Sequence, residues 1–372
     1  MSSQTQIADE TAPITGRRLT LPQGRIFCLQ RSGEADHVIG AFRQWAGYKD
    51  LGSDAATDGL VLFQHVLSFG PTETGGRTGI HCHLAHVHIV IPTSGLGVFS
   101  YDGVVTEAAP GSVIVQHGGT IHDQFSYSYK AASGFENRRT PQSVDPPRAG
   151  EEMSSFGFLE FFVPRTIADV EVVAPEAVSE ADQATAWNHP YHAADGRYFI
   201  QPADAPGGAY RPVAGRGDLE ARDAQTWSPS GNLVATWIIR AAQTAPSPAP
   251  PISLGVPGET GGLDVFYMLA GSARFSRTGG EAFALSAGDC LTASHGLVDD
   301  PMAPSPDMRL IRFFVAARAQ LLRERTPAEI EHVEALGPRI ITARAVRRDG
   351  DTQPVNFMHD DDDARPQADN ES

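Results

Sequence analysis

The sequence predicts an all-β fold: two antiparallel jelly-roll barrels (double-stranded β-helices) in one chain, with a few accessory helices. Three observations support this. Short apolar or alternating runs, separated by turn residues, recur along most of the chain. The 37 Gly and 27 Pro residues provide for many turns. With 372 residues, the chain is long enough for two hydrophobic cores of roughly 100 to 200 residues each.

The first barrel is predicted at residues 56–170, after an N-terminal arm at residues 1–55. Its strands are the apolar or alternating runs at residues 60–69, 86–91, 97–101, 112–115 and 156–163. Gly, Pro, Asn or Asp separate these runs, and such spacing is typical of an antiparallel barrel or sandwich.

The second barrel is predicted at residues 229–320, after an irregular linker at residues 171–228. Its turn residues recur at positions that match those of the first barrel. His88 is followed by IVIPTSG, and Asp264 is followed by VFYMLAG at a matching point of the second block. Recurrence of a whole block indicates an internally duplicated barrel.

Two features mark the C-terminal region. The stretch Thr326-Pro327-Ala328-Glu329 forms a capping box with Pro at the first helical position, so a helix is expected within residues 321–355. Residues 356–372 contain HDDDDARPQADNES, a charge run with no large apolar residue to bury, and this tail is predicted to be disordered.

Charge and cysteine content exclude several classes of protein. The 29 Lys and Arg residues against 45 Asp and Glu give a formal charge of −16, which argues against nucleic acid or an anionic membrane as a partner. Three cysteines are too few for a disulfide framework. Neither a signal peptide nor a long apolar run occurs in the sequence, so we expect a cytoplasmic protein.

Histidines cluster between residues 81 and 88. His81 and His83 lie two residues apart, so on a strand both imidazoles face one side, and His88 on the next strand points back into the same cavity. His122 follows the glycines of QHGGTIH, which allow a tight turn that brings a third imidazole beside them. Neutral imidazoles on rigid strands are typical ligands of zinc, iron and copper.

These residues resemble the two motifs of the cupin family, G(x)5HxH(x)4E(x)6G and G(x)5PxGxxH(x)3N. The matching positions are Gly75, His81, His83, Gly95, Gly111, Gly119 and His122. Three positions depart from the pattern: His88 replaces the usual glutamate ligand, His117 the proline and Ser126 the closing asparagine. The resemblance therefore points to bicupins with three or four histidine ligands and no carboxylate.

That subset includes gentisate and salicylate 1,2-dioxygenases, diketone-cleaving dioxygenases and some zinc-bearing polyketide cyclases. The resemblance implies one divalent metal ion per chain, held by His81, His83 and His122, with His88 as a fourth ligand or a neighbouring catalytic base. His122-Asp123 is similar to the His-Asp pair of the gentisate group, where the aspartate would orient a ligand or a substrate hydroxyl. A turn-stabilising role for Asp123 is equally compatible with the sequence.

Two further residues are candidates for substrate contact. Arg77 could clamp a substrate carboxylate at the barrel mouth, although a solvated loop arginine is the simpler interpretation. His117 could contact substrate or a ligand, or serve packing alone. In the second barrel the motif positions hold Glu259, Asp264 and Asp299, which indicates either a site for a hard cation or a degenerate structural copy; we favour the copy.

The sequence therefore predicts a mononuclear non-haem Fe(II) dioxygenase that cleaves a carbon-carbon bond of a hydroxylated aromatic or an enolisable diketone. Zn(II), Mn(II) or Ni(II) are the other candidate ions. Two alternatives stay open: a zinc-dependent cyclase or isomerase, and a non-catalytic small-molecule-binding protein. The expected partners are an anionic or phenolic small molecule, dioxygen and further copies of the chain.

Overall fold

A computed structural model gives the fold. It describes residues 19–20, 25–39, 46–68, 81–136, 152–163, 170–173, 198–322 and 340–342, with gaps of at most five residues inside these ranges. The helical elements with defined bounds are α1 (Ser53–Ala56) and two 3-10 turns at Ser32–Glu34 and Ala317–Leu322. No helix in this part of the chain has the length and apolar character needed to cross a bilayer.

The described strands number 26 and pair in antiparallel fashion, which confirms the all-β prediction. In the first half they are β1 (Leu19–Thr20), β2 (Ile26–Gln30), β3 (Val38–Ile39), β4 (Ala46–Asp50), β5 (Leu62–Ser68), β6 (His81–His83), β7 (Val87–Ser94), β8 (Gly97–Tyr101), β9 (Val104–Ala108), β10 (Val113–His117), β11 (His122–Phe125), β12 (Ser128–Ala131), β13 (Gly134–Glu136), β14 (Glu152–Ser154), β15 (Phe156–Val163) and β16 (Val170–Val173). The remainder are β17 (Tyr198–Gln201), β18 (Arg211–Val213), β19 (Arg216–Asp223), β20 (Val234–Ala241), β21 (Gly262–Ala270), β22 (Ser272–Ser276), β23 (Ala282–Ser286), β24 (Cys290–Ser294), β25 (Arg309–Ala316) and β26 (Ile340–Thr342).

Two facing sheets form the first barrel. A seven-stranded sheet has the order β17-β10-β7-β15-β5-β4-β3, and a six-stranded sheet has the order β26-β16-β6-β11-β8-β9. Val90, Ile114 and Phe158 of the first sheet share one buried cluster with Phe99 and Tyr101 of the second. Side chains alternate along each strand, so the inward residues of both sheets enclose the barrel interior.

An eight-stranded sheet with the order β1-β2-β24-β21-β25-β20-β19-β18 forms the second barrel. The hairpin β22-β23 closes over its inner face, where Phe266 of β21 meets Phe275 of β22 with ring centroids 5.5 Å apart. Both barrels therefore bury an aromatic interior between antiparallel strands.

Strands also occur in the segments predicted as an arm and a linker. Within residues 1–55, β2 joins β24 of the second barrel and β4 joins β5 of the first. Within residues 171–228, β17 extends the first barrel beside β10, whereas β18 and β19 belong to the second. The capping box at Thr326 and the acidic tail lie outside the described residues.

The two barrels pack against each other through the outer faces of their main sheets. Phe161 of β15 stacks on Phe313 of β25 with centroids 4.2 Å apart and planes inclined by 12°. Phe63 of β5 contacts both rings edge-on, at 5.4 and 5.3 Å. These aromatic residues belong to one buried cluster with residues of both barrels, so the two units share a hydrophobic core.

We expect Phe161→Ala and Phe313→Ala each to lower the free energy of unfolding by about 3 to 5 kcal/mol, because each leaves a ring-sized cavity in this shared core. Urea denaturation measures the change. The conservative variant Phe313→Leu is the control and is expected to cost less than about 1.5 kcal/mol. A double-mutant cycle should show coupling of about 0.5 to 1.5 kcal/mol; strictly additive losses would contradict direct packing of the two rings.

His65 lies at the rim of this shared core and is a second point of contact between elements. Its Nδ1 is 3.3 Å from Nε2 of His37, and its Nε2 is 3.3 Å from the hydroxyl of Thr93. Burial, followed by the neighbouring His37 and Lys49, lowers the pKa of His65 to about 4. The folded protein therefore holds this imidazole neutral where the unfolded chain, with a pKa of about 6.5, takes up a proton.

Stability is therefore expected to fall as the pH drops from about 6.5 towards 4, because only the unfolded chain binds the proton in that window. The loss should approach about 3 kcal/mol near pH 4. Urea unfolding of the wild type and of His65→Gln between pH 7 and pH 4 checks this, and the variant should lose the part of the slope due to His65. An equal slope in both proteins would refute the assignment.

Candidate metal centre

Three of the predicted histidines converge inside the first barrel. His83, His88 and His122 each present a ring nitrogen, and the three nitrogens lie within 4.8 Å of one another. His88 and His122 are buried and His83 is half-buried. The ring centroids of His83 lie 5.0 Å from His88 and 5.1 Å from His122. We call these three residues the histidine cluster.

The two sheets of the barrel position this cluster. His83 and His122 lie on the neighbouring strands β6 and β11 of the six-stranded sheet, whereas His88 projects from β7 of the opposite sheet. His81 is the backbone partner of His122, so the motif residue lies beside the cluster on β6. The side chains of His81 and Asp123 and the whole of Arg77 lie outside the described residues.

His122 has a defined tautomer. Its Nδ1 lies 2.9 Å from the carbonyl oxygen of Thr120, and since a carbonyl only accepts, Nδ1 must carry the proton and donate it. The neutral ring then bears its lone pair on Nε2, the atom that can bind a metal ion. The short turn before β11 therefore prepares His122 for ligation.

His88 is held by an aromatic contact and faces a carboxylate. Its ring stacks on Phe162 with centroids 3.9 Å apart and an interplanar angle of 10°. Its Nε2 lies 3.6 Å from Oε1 of Glu160. The two cupin motifs, as they stand in this sequence, contain no carboxylate at a ligand position. Strand β15 nevertheless brings the carboxylate of Glu160 beside the cluster.

Glu160 is the site residue that the sequence analysis missed. Its Oε2 accepts a hydrogen bond of 2.6 Å from Nε2 of Gln64, the residue paired with it on β5. A signal was present, because Glu160 is the one charged residue in the run FGFLEFFV and lies in phase with Phe158 and Phe162, which face inward. A charge in the middle of an apolar strand indicates a specific interior partner.

Tyr101 and Gln116 line the interior next to the cluster. The Tyr101 ring stacks near His122 at 5.9 Å and on Tyr198 at 5.0 Å. Its hydroxyl accepts a hydrogen bond of 3.3 Å from Nε2 of Gln116. Burial, followed by the charge of Glu160, raises the pKa of Tyr101 well above its usual range, so the phenol stays protonated and can donate.

His117 is not part of the cluster. It is buried on β10 and directly follows Gln116, so alternation places the two side chains on opposite faces of that strand. Because Gln116 contacts Tyr101 in the interior, His117 faces the other side of the sheet. Gln116 therefore faces the barrel interior, and substrate contact by His117 stays a prediction.

The candidate carboxylates of the second barrel are engaged in hydrogen bonds or ion pairs. Oδ1 of Asp264 pairs with Nη2 of Arg312 at 2.9 Å, and Oδ2 accepts a hydrogen bond of 2.8 Å from Nδ1 of His295. Burial alone would raise the pKa of Asp264, but Arg312 and His295 outweigh it and lower the pKa. Glu259 pairs with Arg318 at 2.9 Å, and Asp299 accepts a hydrogen bond from Ser276.

No protein-family model and no curated protein matches the sequence. Solved structures with similar folds include the Momordica charantia 7S globulin, at 12% identity and a TM-score of 0.47 over 78% of this chain and 84% of that one. They also include the Escherichia coli pirin YhhW in complex with nickel(II), at 9% identity and a TM-score of 0.41 over 78% and 99%.

A deletion mutant of Bacillus subtilis oxalate decarboxylase is a third, at 12% identity and a TM-score of 0.43 over 82% and 83% of the two chains. Similarity at this level assigns neither a family nor a function to the present chain.

The donor set fits a divalent metal ion. Three imidazole nitrogens within 4.8 Å of one another match the three-histidine donor set of catalytic metal sites, which leave coordination positions open. The backbone contact of His122 and the stacking of Phe162 on His88 keep two of the three rings oriented. His83, His88 and His122 would hold the ion, and an ion there would supply Lewis acidity and, if iron, redox chemistry.

We expect His83→Ala, His88→Ala and His122→Ala each to weaken Co(II) binding by more than about 100-fold, because each removes one donor. Competition with a chromogenic chelator measures the affinity. His86→Ala, in the same stretch but outside the cluster, is the matched control and should bind like the wild type. Unchanged affinity of His88→Ala would exclude His88 as a ligand, and the same assay on His81→Ala tests the motif residue whose side chain is not described.

Proposed function

We propose that this chain is a cupin-type mononuclear Fe(II) dioxygenase that cleaves a carbon-carbon bond of a hydroxylated aromatic or an enolisable diketone. One observation carries the proposal: three imidazoles from strands of two facing sheets lie within 4.8 Å of one another inside the barrel. Redox metals bound by neutral histidines, with open positions for substrate, are suited to this chemistry. His81 completes the proposed ligand set from the same strand as His83.

Fe(II), when bound, would pass electrons from the coordinated substrate to dioxygen and would offer a Lewis-acidic site for a phenolate or enolate oxygen. Both oxygen atoms of dioxygen enter the cleaved product, so the reaction needs no external reductant. Residues of the chain orient the histidines that would hold the ion. Thr120 keeps the proton of His122 on Nδ1, and Phe162 covers the ring face of His88.

The neighbouring interior residues are suited to bind a flat, hydroxylated substrate. Tyr101 presents a protonated phenol, and the amide of Gln116 holds its hydroxyl in place. Phe162, which stacks on His88, and Tyr198, which stacks on Tyr101, add aromatic surface to this wall. Asp123 and Arg77 remain proposed substrate-orienting residues. Dioxygen as co-substrate and assembly into a homo-oligomer belong to the same proposal.

A zinc-dependent cyclase or isomerase is the second candidate, because three imidazoles are also the donor set of catalytic zinc. Zinc performs no redox step, so that enzyme would only polarise a carbonyl or activate water. Elemental analysis of protein from iron-supplemented cells separates the two. One zinc ion per chain, together with full catalytic activity of that zinc-bound protein, would favour the cyclase or isomerase.

Oxygen consumption tests the dioxygenase. Iron-loaded protein should consume one molecule of dioxygen per molecule of at least one substrate among gentisate, salicylate, hydroquinone and a 1,3-diketone, with both atoms of ¹⁸O₂ in the product. Variants His88→Ala and His122→Ala should lose more than about 1,000-fold in rate, since they disrupt the donor set, and His86→Ala should retain activity. Absence of uptake with the whole panel would contradict the proposal.

A further inference from the structure

We propose that the second barrel carries a reactive site of its own, in which Nε2 of His295, oriented by Asp264, takes the acyl group of a small aryl ester and passes it to water. This activity is separate from the proposed dioxygenase, because it belongs to the other barrel. It gives a role to His295, which is not one of the motif positions of that barrel.

The backbone fixes the position of His295 at the end of β24. The residue lies in a turn closed by a 3.0 Å hydrogen bond from the N–H of Leu297 to the carbonyl oxygen of Ser294. Gly296 has a φ of +72° in this turn, a conformation that favours glycine. The N–H of His295 itself donates to the carbonyl oxygen of Gly262 at 2.9 Å. His295 is therefore held beside the first residues of β21.

Asp264, on that strand, orients the imidazole. Burial raises the pKa of Asp264, but Arg312 and His295 outweigh this effect and lower it, so the carboxylate is ionised. Its Oδ2 lies 2.8 Å from Nδ1 of His295, and since an ionised carboxylate only accepts, Nδ1 donates the proton. Its Oδ1 accepts hydrogen bonds from Nε and Nη2 of Arg312, at 3.0 and 2.9 Å. With both oxygens held, the carboxylate keeps the ring in one orientation.

The other ring nitrogen of His295 is available for reaction. Among the described residues, the side chain contacts only Asp264, through Nδ1, and the ring of Phe314, edge-on at 4.8 Å. The side chain is 23% exposed, whereas that of Asp264 is 3% exposed. Because Nδ1 is turned towards the buried carboxylate, the exposed part of the ring is the edge that carries Nε2. In the neutral ring this nitrogen bears the lone pair.

The charges around His295 favour a positive imidazole. Arg312 is shared, because its Nη1 also pairs with Oδ1 of Asp300 at 3.1 Å. The side chain of Asp300 is 42% exposed, and an exposed aspartate is ionised at neutral pH. Two carboxylates therefore meet one guanidinium, and the network is one positive charge short of balance. A cation formed on the ring of His295 would supply that charge.

This arrangement is suited to acyl transfer, in which a carboxylate orients an imidazole and stabilises its positive charge. Nε2 attacks the carbonyl carbon of the ester, so a C–N bond forms and the C–O bond to the leaving phenolate breaks. The acyl-imidazolium keeps its Nδ1 proton against Asp264. Water then adds to the carbonyl, the C–N bond breaks, and the carboxylic acid leaves. Aryl esters fit this site because a phenolate departs without first taking up a proton.

Hydrolysis of 4-nitrophenyl acetate at pH 8 tests the proposal. The second-order rate constant should exceed that of N-acetylhistidine by at least about 10-fold, because Asp264 stabilises the imidazolium, and His295→Ala should lose that excess. His37→Ala is the matched control, since His37 contacts His65 instead of a carboxylate, and it should react like the wild type. Measurements with and without a chelator separate this rate from water activation by an ion in the histidine cluster.

Two further measurements examine the wild type and the positioning role of Asp264. Mass spectrometry of acid-quenched protein should locate the acetyl group on His295. Nitrogen-15 NMR should show a protonated Nδ1 and an unprotonated Nε2 for this ring. In Asp264→Asn that tautomer preference and at least about 10-fold of the rate should be lost.

Four outcomes would overturn the proposal: a wild-type rate equal to that of N-acetylhistidine, an equal rate in His295→Ala, acetylation of other residues only, or an unprotonated Nδ1 in the wild type. The wild-type rate, label and tautomer decide the matter even if a variant does not fold. Oxygen uptake by iron-loaded His295→Ala should equal that of the wild type. Failure of the dioxygenase assay therefore leaves this proposal standing, and the reverse also holds.

Discussion

Side chains alternate between the two faces of strand β15, and this alternation links the hydrophobic core between the barrels to the histidine cluster. In β15, Phe161 faces outward and stacks on Phe313 of the second barrel, while its neighbours Glu160 and Phe162 face inward towards His88. The register of β15 is therefore fixed from both sides, because a slip by one residue would bury the carboxylate of Glu160 between the barrels and turn Phe161 towards the interior. The geometry of the histidine cluster therefore depends on the packing between the barrels through this strand.

The two barrels carry different charged residues at equivalent positions. His88 pairs across the ladder with Phe162, and Asp264 pairs in the same way with Phe314. Two residues earlier on the last strand of each pair stand Glu160 and Arg312. The first barrel thus combines histidine and glutamate where the second combines aspartate and arginine. Arg312 neutralises Asp264 from within the protein, which closes that position to a metal ion.

The sequence predicted features that depend on the spacing of nearby residues. It did not predict features that depend on the pairing of strands far apart in the chain. The spacing of His81, His83, His88 and His122 predicted that their imidazoles converge, since alternation and a glycine turn act over a few residues. The structure brings His83, His88 and His122 together, whereas the side chain of His81 lies outside the described residues. The position of Glu160 beside the cluster follows only from the pairing of β15 with β5 and β7, across about 70 to 100 residues of chain. Strand β2 likewise pairs with β24, more than 250 residues away, and no local pattern shows that contact.

The interior of the first barrel contains a carboxylate, that of Glu160. One of its oxygens accepts a hydrogen bond from Gln64. Burying such a charge is costly unless a cation stands near. The second barrel meets this requirement with Arg312 beside Asp264. In the first barrel a divalent ion held by the three neutral imidazoles of the cluster would bring a positive charge close to Glu160.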